Sequence, residues 1–390
     1  MSAPITPTSP RAYWARLTDD TGILQHGKYG VPDRLHGYTT DDNARALIAS
    51  LMWYRRDRDP IAIDRVAQSL AFLYHAQEDD GTFRNFMGYD RRFFQEKGSE
   101  DSHGRALWAI GYTLAQPSVP AGLRNLAWEM LQRSLNQTRT LGSPRARAYA
   151  LIGLSDIAEA ADWRTAPPVG GMNTAGVVPE VLGELAAGLD AQYRANRSHQ
   201  WRWFEDSLTY GNAVLPWALF RASQVGGDAA WLATASESLE FLAALTLTRD
   251  GIFQPIGTRG WLSRGGAPAR FDQQPLEACE MLLACREAFR SLGESIHRQR
   301  AEACYSWYLG RNSEGLSLID PDTGACYDGL TPAGVNLNQG AESLLSFLIA
   351  SFVHDEDERS ATPVTAEAAD RFPPPRRPPD DVHALRRRSP

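Results

Sequence analysis

Acidic residues stand in adjacent pairs at three distant places in the chain: Asp41-Asp42, Glu100-Asp101 and Glu205-Asp206. Each pair precedes an apolar run, so it is placed at the start of a predicted helix. One side chain is enough to cap a helix start, and the second carboxylate of each pair is left over. Pairs of carboxyl groups are the residues that supply an acid and a base for cleavage of a glycosidic bond.

The acidic pairs belong to a longer repeat. Six segments open with polar residues and then become apolar and small: 40–47, 100–107, 143–148, 205–212, 271–277 and 338–343. Their mean spacing is about 59 residues between Asp42 and Asn338, and a period of this size is typical of helical-hairpin arrays. We expect these segments to begin inner helices whose starts face one central opening.

Amphipathic helices are predicted between the polar openings, near residues 61–77, 120–136, 178–194, 228–246 and 294–310. Residues 11–17 are predicted to supply a sixth outer helix that closes the ring against the last inner helix. The related turns at residues 80–83 and 250–253, both Asp-Gly-x-Phe, indicate small hairpins. A looser copy stands at residues 20–23. We expect these loops on the same end of the molecule as the acidic helix starts.

This arrangement of six inner and six outer helices resembles the six-hairpin glycosidase superfamily over about residues 11–353. The resemblance implies an all-α fold, an (α/α)6 toroid with short β-hairpin loops on one face. The segments 37–47 and 98–105 look like those of a bacterial family whose members lie beside, or are fused to, glycosyltransferases and mannoside-processing enzymes. The resemblance therefore implies an inverting glycoside hydrolase that acts on a mannose- or glucose-type oligosaccharide or glycan. It also implies a glycosyltransferase as a partner.

Two carboxyl groups must act as acid and base in such an enzyme. We predict Asp101 as the acid, with Glu100 as its competitor. We predict Asp206 as the base, followed by Asp272. All four stand in the polar openings of the repeat.

Arginines Arg45 and Arg105 follow the first two acidic pairs at the same spacing. This spacing allows an i,i+4 ion pair with Asp41 or Asp101. Such a pair would keep the carboxylate ionised, which suits a base better than an acid. The ion pair is therefore an objection to Asp101 as the acid.

Further residues of the polar openings and of the nearby loops are predicted to bind substrate. Asp42 is the strongest candidate for binding a sugar hydroxyl, and His103 is equally well explained as a structural histidine. Arg259 lies in a Gly-rich loop that we predict to cover the site. The predicted substrate-binding residues are Asp41, Asp42, His103, Trp203, Glu205, Tyr210, Arg259, Gln274 and Glu342.

Two alternatives remain open from the sequence. The first is a sugar epimerase or isomerase on the same toroid, because His26, His36 and His103 lie near predicted helix starts or loops and histidines carry protons in such reactions. The second is a non-catalytic module that binds a glycan for a glycosyltransferase partner. In that case the acids serve only as caps and hydrogen-bond acceptors.

Composition narrows the class of protein. The net charge of -7 argues against nucleic-acid binding. Residues 1–10 lack the pattern of a secretory signal, and no apolar run reaches the length of a membrane helix. The four cysteines show no metal-binding spacing and are expected to be reduced in a cytoplasmic protein, with no cofactor. We predict a disordered N-terminus (1–10), a toroid domain (11–354) and a disordered Pro/Arg-rich tail (355–390).

Overall fold

The structure is a computed structural model that describes residues 9–94, 98–160 and 174–361. Disorder was predicted for residues 1–10 and 355–390, and of these, residues 1–8 and 362–390 lie outside the described residues. At the edges of these segments the chain is helical, since Pro10 begins the first helix and the last one continues to Ala361. The division into a toroid domain and a tail stays a prediction.

Twelve helices occur in the described residues, and inner and outer helices alternate along the chain. The inner helices are α2 (Thr40–Asp57), α4 (Glu100–Leu114), α6 (Pro144–Glu159), α8 (Val214–Gly226), α10 (Pro275–Leu292) and α12 (Ala341–Ala361). The outer helices are α1 (Pro10–Leu17), α3 (Pro60–Ala76), α5 (Ala121–Thr138), α7 (Thr174–Asn196), α9 (Ala229–Thr246) and α11 (Ser295–Tyr308). The predicted all-α (α/α)6 toroid is confirmed.

The inner and outer helices differ in how much of their surface is buried. Helix α2 is buried without interruption from Asp42 to Trp53. Helix α3 instead buries a stripe that includes Val66, Leu70 and Leu73, which is the one-sided pattern of an amphipathic surface helix. The inner helices therefore form the core of the ring, and the outer helices cover it.

From α2 to α10, successive inner helices are neighbours around the ring. The approach is closest between α4 and α6, where a Cβ on Gly111 would lie 2.2 Å from the carbonyl oxygen of Gly153. Glycine is required at such a point because any side chain would enter the facing backbone. The ring closes through an ion pair from Arg45 in α2 to Glu342 in α12.

Helix α1 takes the place of the sixth outer helix. The guanidinium of Arg11 lies 5.0 Å from the ring of Trp53 in α2 and 6.0 Å from that of Phe352 in α12. Tyr13 donates a hydrogen bond of 2.8 Å to the carbonyl of Gln339, just before α12. The short N-terminal helix therefore spans the join between the first and last inner helices.

Short antiparallel strands precede the inner helices other than α6. One sheet contains β1 (Leu24–Lys28), β2 (Val31–Thr39) and β3 (Phe86–Met87), a second β4 (Ser207–Leu208) and β5 (Leu262–Ser263), and a third β6 (Leu330–Thr331) and β7 (Gly334–Val335). The three predicted turns each form a small bridge, at Thr18–Ile23, Gln77–Phe83 and Leu247–Phe253. Because β2 runs directly into α2, this sheet fixes the backbone that carries Asp41 and Asp42.

Two polar openings differ from the prediction. The segment 205–212 does not begin a helix, since it contains β4 and α8 starts only at Val214. Likewise α10 starts at Pro275, a residue well suited to the first helical position. Asp206 and Asp272 therefore lie in loops before their helices. No described helix has both the length and the apolar character needed to cross a membrane.

Candidate active site

The caps of α2 and α4 are hydroxyl side chains, and this leaves the adjacent acids available. Thr39 Oγ1 accepts from the backbone N–H of Asp42 at 3.0 Å, and Ser99 Oγ accepts from that of Ser102 at 3.1 Å. Each capping residue stands immediately before its helix, as N-caps do. The carboxylates of the first two pairs are therefore not used to cap their own helices.

Some acids instead bind the backbone of a neighbouring helix start. Glu100 accepts from the backbone N–H groups of Gly142 and Ser143 at 2.9 and 2.5 Å. Glu277 accepts from the backbone N–H groups of Gly211 and Asn212. These contacts join adjacent helices, so Glu100 is better explained as a structural residue than as a competing acid.

A network of ion pairs lies across the starts of α12, α2 and α4. Arg45 contacts Asp42 at 3.3 Å and Glu342 at 2.8 Å. Arg105 contacts Asp41 at 3.0 Å. Asn85 donates to the second oxygen of Asp41 at 2.9 Å. The closest acid to Arg45 is therefore Glu342, and the closest acid to Arg105 is Asp41. Neither is the acid that was predicted to pair with that arginine at i,i+4 spacing.

Asp101 lies in this network as a hydrogen-bond acceptor. It accepts from the Ser143 hydroxyl at 2.9 Å on one oxygen and from the Tyr210 hydroxyl at 2.6 Å on the other. Arg105 lies 3.9 Å away, at the predicted i,i+4 spacing. A carboxyl group that accepts on both oxygens is arranged as a carboxylate. The geometry therefore gives no support for Asp101 as the acid.

Arg145, near the start of α6, extends the network toward the loop before α8. It donates to Glu205 and to the hydroxyl of Thr209, both at 2.8 Å. Its guanidinium lies 4.7 Å from the centre of the Tyr210 ring. Tyr210, predicted to bind substrate, is thus held beside Asp101, and Glu205, also predicted to bind substrate, is held by the same arginine as Tyr210.

Several predicted site residues lie elsewhere. Asp206 is 83% exposed and pairs with Arg264 at 3.1 Å. Asp272 pairs with Arg259 at 3.2 Å in a loop, where its own φ is 56°. Gln274 is at the N-cap position of α10 without a capping side-chain bond. The structure therefore offers no support for Asp206 or Asp272 as the base, and the lid role of the Arg259 loop stays a prediction.

Trp203 and His103 are core residues. Trp203 is fully buried and packs against Phe204, with ring centres 5.4 Å apart. His103 turns outward, where its Nε2 lies 3.2 Å from the hydroxyl of Thr138 in α5. Its ring also contacts Phe83. Their role in substrate binding stays a prediction, since the sequence does not show which way a side chain faces.

Two residues missed by the sequence analysis complete the site. Tyr149 donates a hydrogen bond to Glu280 Oε1 and accepts one of 3.4 Å from Arg105. Glu280 Oε2 is buried and has no hydrogen-bond partner among the described residues. An acid inside the apolar run of residues 278–285 was the available signal.

These residues lie in two layers. Arg45, Arg105, Tyr149 and Glu280 are each the sixth residue of their helix, counted from the helix starts. The acids Asp41, Asp42, Asp101 and Glu342 lie within the first turns above them. We call the joined set the central cluster; it consists of Asp41, Asp42, Arg45, Asp101, Arg105, Arg145, Tyr149, Glu205, Tyr210, Glu280 and Glu342.

The carboxyl groups of the central cluster have pKa values that their surroundings shift in different directions. Burial raises the pKa of Glu280 to about 8, and nearby Glu277 adds to this effect. Burial also raises the pKa of Asp42 to about 7. Burial opposes ionisation of Asp41 as well, but Arg105, Arg45 and the bond from Asn85 together hold its pKa below the usual value. Proton-bearing and ionised carboxyl groups therefore occur in one cluster.

A separate cavity of about 640 Å³ lies along α3. Its lining includes Asp64, Arg65, Phe72 and His75 from the helix and Arg91 from the loop after β3. No member of the central cluster lines it. The carboxyl chemistry described above therefore does not occur in this cavity.

The chain shares its (α/α)6 toroid fold with solved structures of sugar epimerases and isomerases and of a mannanase. A cellobiose 2-epimerase from Bacillus thermoamylovorans superposes with a TM-score of 0.68 at 10% identity, covering 90% of this chain and 96% of the other. A D-mannose isomerase gives 0.65 at 11% identity, covering 90% and 95%. An α-mannanase from Bacteroides thetaiotaomicron gives 0.62 at 8% identity, covering 90% and 94%. No protein-family model and no curated sequence matches the chain.

Proposed function

We propose that the protein is a carbohydrate-active enzyme, a glycoside hydrolase acting on a mannose- or glucose-type oligosaccharide at the central cluster. The observation that carries the proposal is the opposite shift of two carboxyl pKa values in one network. The pKa of Glu280 is raised to about 8 and that of Asp41 is lowered. Groups whose surroundings push their pKa values apart are suited to act as an acid and a base.

In this proposal Glu280 is the general acid. At neutral pH it carries a proton, and its Oε2 has no partner among the described residues. Tyr149 holds Oε1, so the free oxygen has a defined direction. Protonation of the leaving oxygen of the glycoside by Oε2 would give Glu280 the negative charge that Arg105 and Arg45 stabilise from nearby.

Asp41 is the proposed general base. Arg105 and Asn85 each bind one of its oxygens and keep it ionised. Its side chain is still partly exposed, so a water molecule can reach it. Asp41 would take a proton from that water as the oxygen attacks the anomeric carbon.

Exposed carboxylates at the edge of the cluster are suited to bind sugar hydroxyls. Glu342 and Glu205 each have one oxygen on an arginine and remain partly exposed to solvent. A carboxylate accepts several hydrogen bonds at once, and sugar hydroxyls donate them. The names of the structural neighbours, a mannanase and enzymes of cellobiose and mannose, support this class of sugar.

The test is release of reducing ends from manno- and gluco-oligosaccharides by the purified protein. We expect activity, with Glu280→Gln and Asp41→Asn each lowering kcat by about 10²- to 10⁴-fold, because each removes one partner of acid–base catalysis. Proton NMR of the first-formed anomer should show inversion, the outcome that the resemblance implies.

Asp206→Asn is the matched control, since it removes a carboxylate that is exposed and paired with Arg264. It should keep wild-type activity. Circular dichroism must show that all three variants are folded. Full activity in both Glu280→Gln and Asp41→Asn would refute the assignment of acid and base.

An epimerase is supported by one observation, a histidine pair close to the cluster. The rings of His26 and His36 meet edge to face with centres 4.7 Å apart. His26 Nδ1 lies 2.8 Å from the amide nitrogen of Asn338 and accepts from it. Deuterium incorporated from solvent into an intact sugar would favour this reaction. Binding without turnover would favour a glycan-binding module that serves a glycosyltransferase partner.

A further inference from the structure

Solvent reaches three acids at the edge of the central cluster but hardly reaches its arginines, while Asp42 and Glu280 are buried. The side chains of Glu342, Glu205 and Asp41 are 38%, 28% and 20% exposed. Those of Arg45, Arg105 and Arg145 are 3%, 6% and 4% exposed. A ligand that enters from solvent therefore meets carboxylates before it meets any guanidinium group.

Acids also outnumber arginines in the ion pairs of the cluster. Asp41, Asp42, Asp101, Glu205 and Glu342 share the three arginines. Even with Asp42 protonated, the paired groups keep a net negative charge. Each guanidinium already has a carboxylate partner, so an anionic ligand would have to break an existing partly buried pair, which is costly.

On this basis we infer that the central cluster selects sugars by charge: it takes uncharged and amine-bearing sugars and rejects sugars that carry a carboxylate or a phosphate. The inference rests on the proposed function in one respect, namely that sugars bind at this cluster. Its physical cause is Coulombic. A protonated amine gains attraction to Glu342 and Glu205, whereas a uronate meets like charge in a partly desolvated place.

The experiment compares binding of three sugars with one skeleton, glucosamine, glucose and glucuronate, and then mannosamine, mannose and mannuronate. Isothermal titration at pH 7 and low salt should give the tightest binding for the amine. The uronate should bind about tenfold or more weaker than the neutral sugar, as expected for one unfavourable charge contact near a surface. Added salt should narrow both differences.

Glu342→Gln tests the location of the effect. It should reduce the preference for the amine and improve binding of the uronate. Glu129→Gln is the matched control, because Glu129 lies on the outer helix α5, has a similar exposure of 40% and pairs with Arg133 in the same way. This control should leave all affinities unchanged.

Three results would overturn the inference: a uronate that binds as tightly as the neutral sugar, no binding of any of these sugars, or an equal effect of Glu129→Gln and Glu342→Gln. Binding and hydrolysis are measured separately. The expected order of affinities without hydrolysis would refute the proposed hydrolase and leave the inference standing. Hydrolysis together with uronates that bind as tightly as the neutral sugars would support the proposed hydrolase and refute the inference.

Discussion

Glu280 and Asp41 carry the same functional group in surroundings that shift their pKa values in opposite directions. Glu280 is enclosed by α10 and Tyr149, with no guanidinium bound directly to its oxygens in the described contacts. Asp41 receives a direct bond from Arg105. At the scale of residues, the two carboxyl groups therefore differ because an arginine of another helix binds Asp41 directly, whereas a tyrosine of another helix binds Glu280.

Glu280 should make the stability of the protein depend on pH. Its folded pKa, about 8, is above its ordinary value of 4.5. The stability that this group contributes is therefore complete below about pH 4.5 and is lost as pH rises through 8. Urea unfolding at pH 5, 7 and 9 should show this decline in the wild type and a flatter dependence in Glu280→Gln.

Asp42 and Glu277 also make the free energy of unfolding fall as the pH rises, since burial raises the pKa of both to about 7. The flattening in Glu280→Gln should therefore be partial. Glu129→Gln, on the outer surface, should keep the wild-type slope. Two results would show that Glu280 is not buried as described. One is a wild-type free energy of unfolding that rises from pH 5 to 9, and the other is a pH dependence in Glu280→Gln that equals that of the wild type.

At the scale of elements, the position of the acids depends on how closely neighbouring inner helices approach. Gly111 in α4 and Gly153 in α6 let two backbones touch. Gly104 does the same against Ala146, one turn below the acidic helix starts. This contact sets the distance across which Asp101 in α4 reaches Ser143 at the start of α6.

Gly111→Ala should destabilise the fold by about 1–3 kcal/mol, the usual cost of overpacking, because the new Cβ would lie 2.2 Å from a carbonyl oxygen of α6. Gly183→Ala in α7 is the control, since no atom lies within 4 Å of its added Cβ. That change should be neutral or stabilising by up to about 1 kcal/mol. Thermal and urea unfolding measure both, and equal effects would contradict the close packing of α4 and α6.

At the scale of the whole molecule, the ring is closed by residues from opposite ends of the chain. Arg45 and Glu342 form the polar part of this closure. Trp14 of α1 forms an apolar part, with its ring centre 5.9 Å from that of Trp53 in α2. The central cluster is complete only when α12 returns to α2, so closure and the site depend on each other.

Trp14→Ala should destabilise the protein by about 3–5 kcal/mol, as expected for truncation of a buried aromatic residue. Tyr29→Ala removes an exposed aromatic side chain at the β1–β2 turn and should change stability by less than about 0.5 kcal/mol. Calorimetry gives both values. A similar small effect for the two variants would mean that α1 does not take part in closing the ring.

Prediction of the fold succeeded where the signal was local. Apolar periodicity and the recurring polar openings identified α2, α4 and the first turn of α12. The segments before α8 and α10 were wrongly predicted to begin helices, because acids stand there in loops that end at Val214 and Pro275. Asp206 and Asp272, the two predicted bases, lie in these loops.

The sequence by itself determined where α2, α4 and α12 begin and that acids stand in their first turns, because capping and amphipathic spacing act over a few residues. Only the tertiary structure decided the partner of each acid. Arg105 reaches Asp41 in another helix, and Arg45 reaches Glu342 near the far end of the chain. Burial and these distant charges set the pKa values, and both arise only when the ring has closed around Glu280.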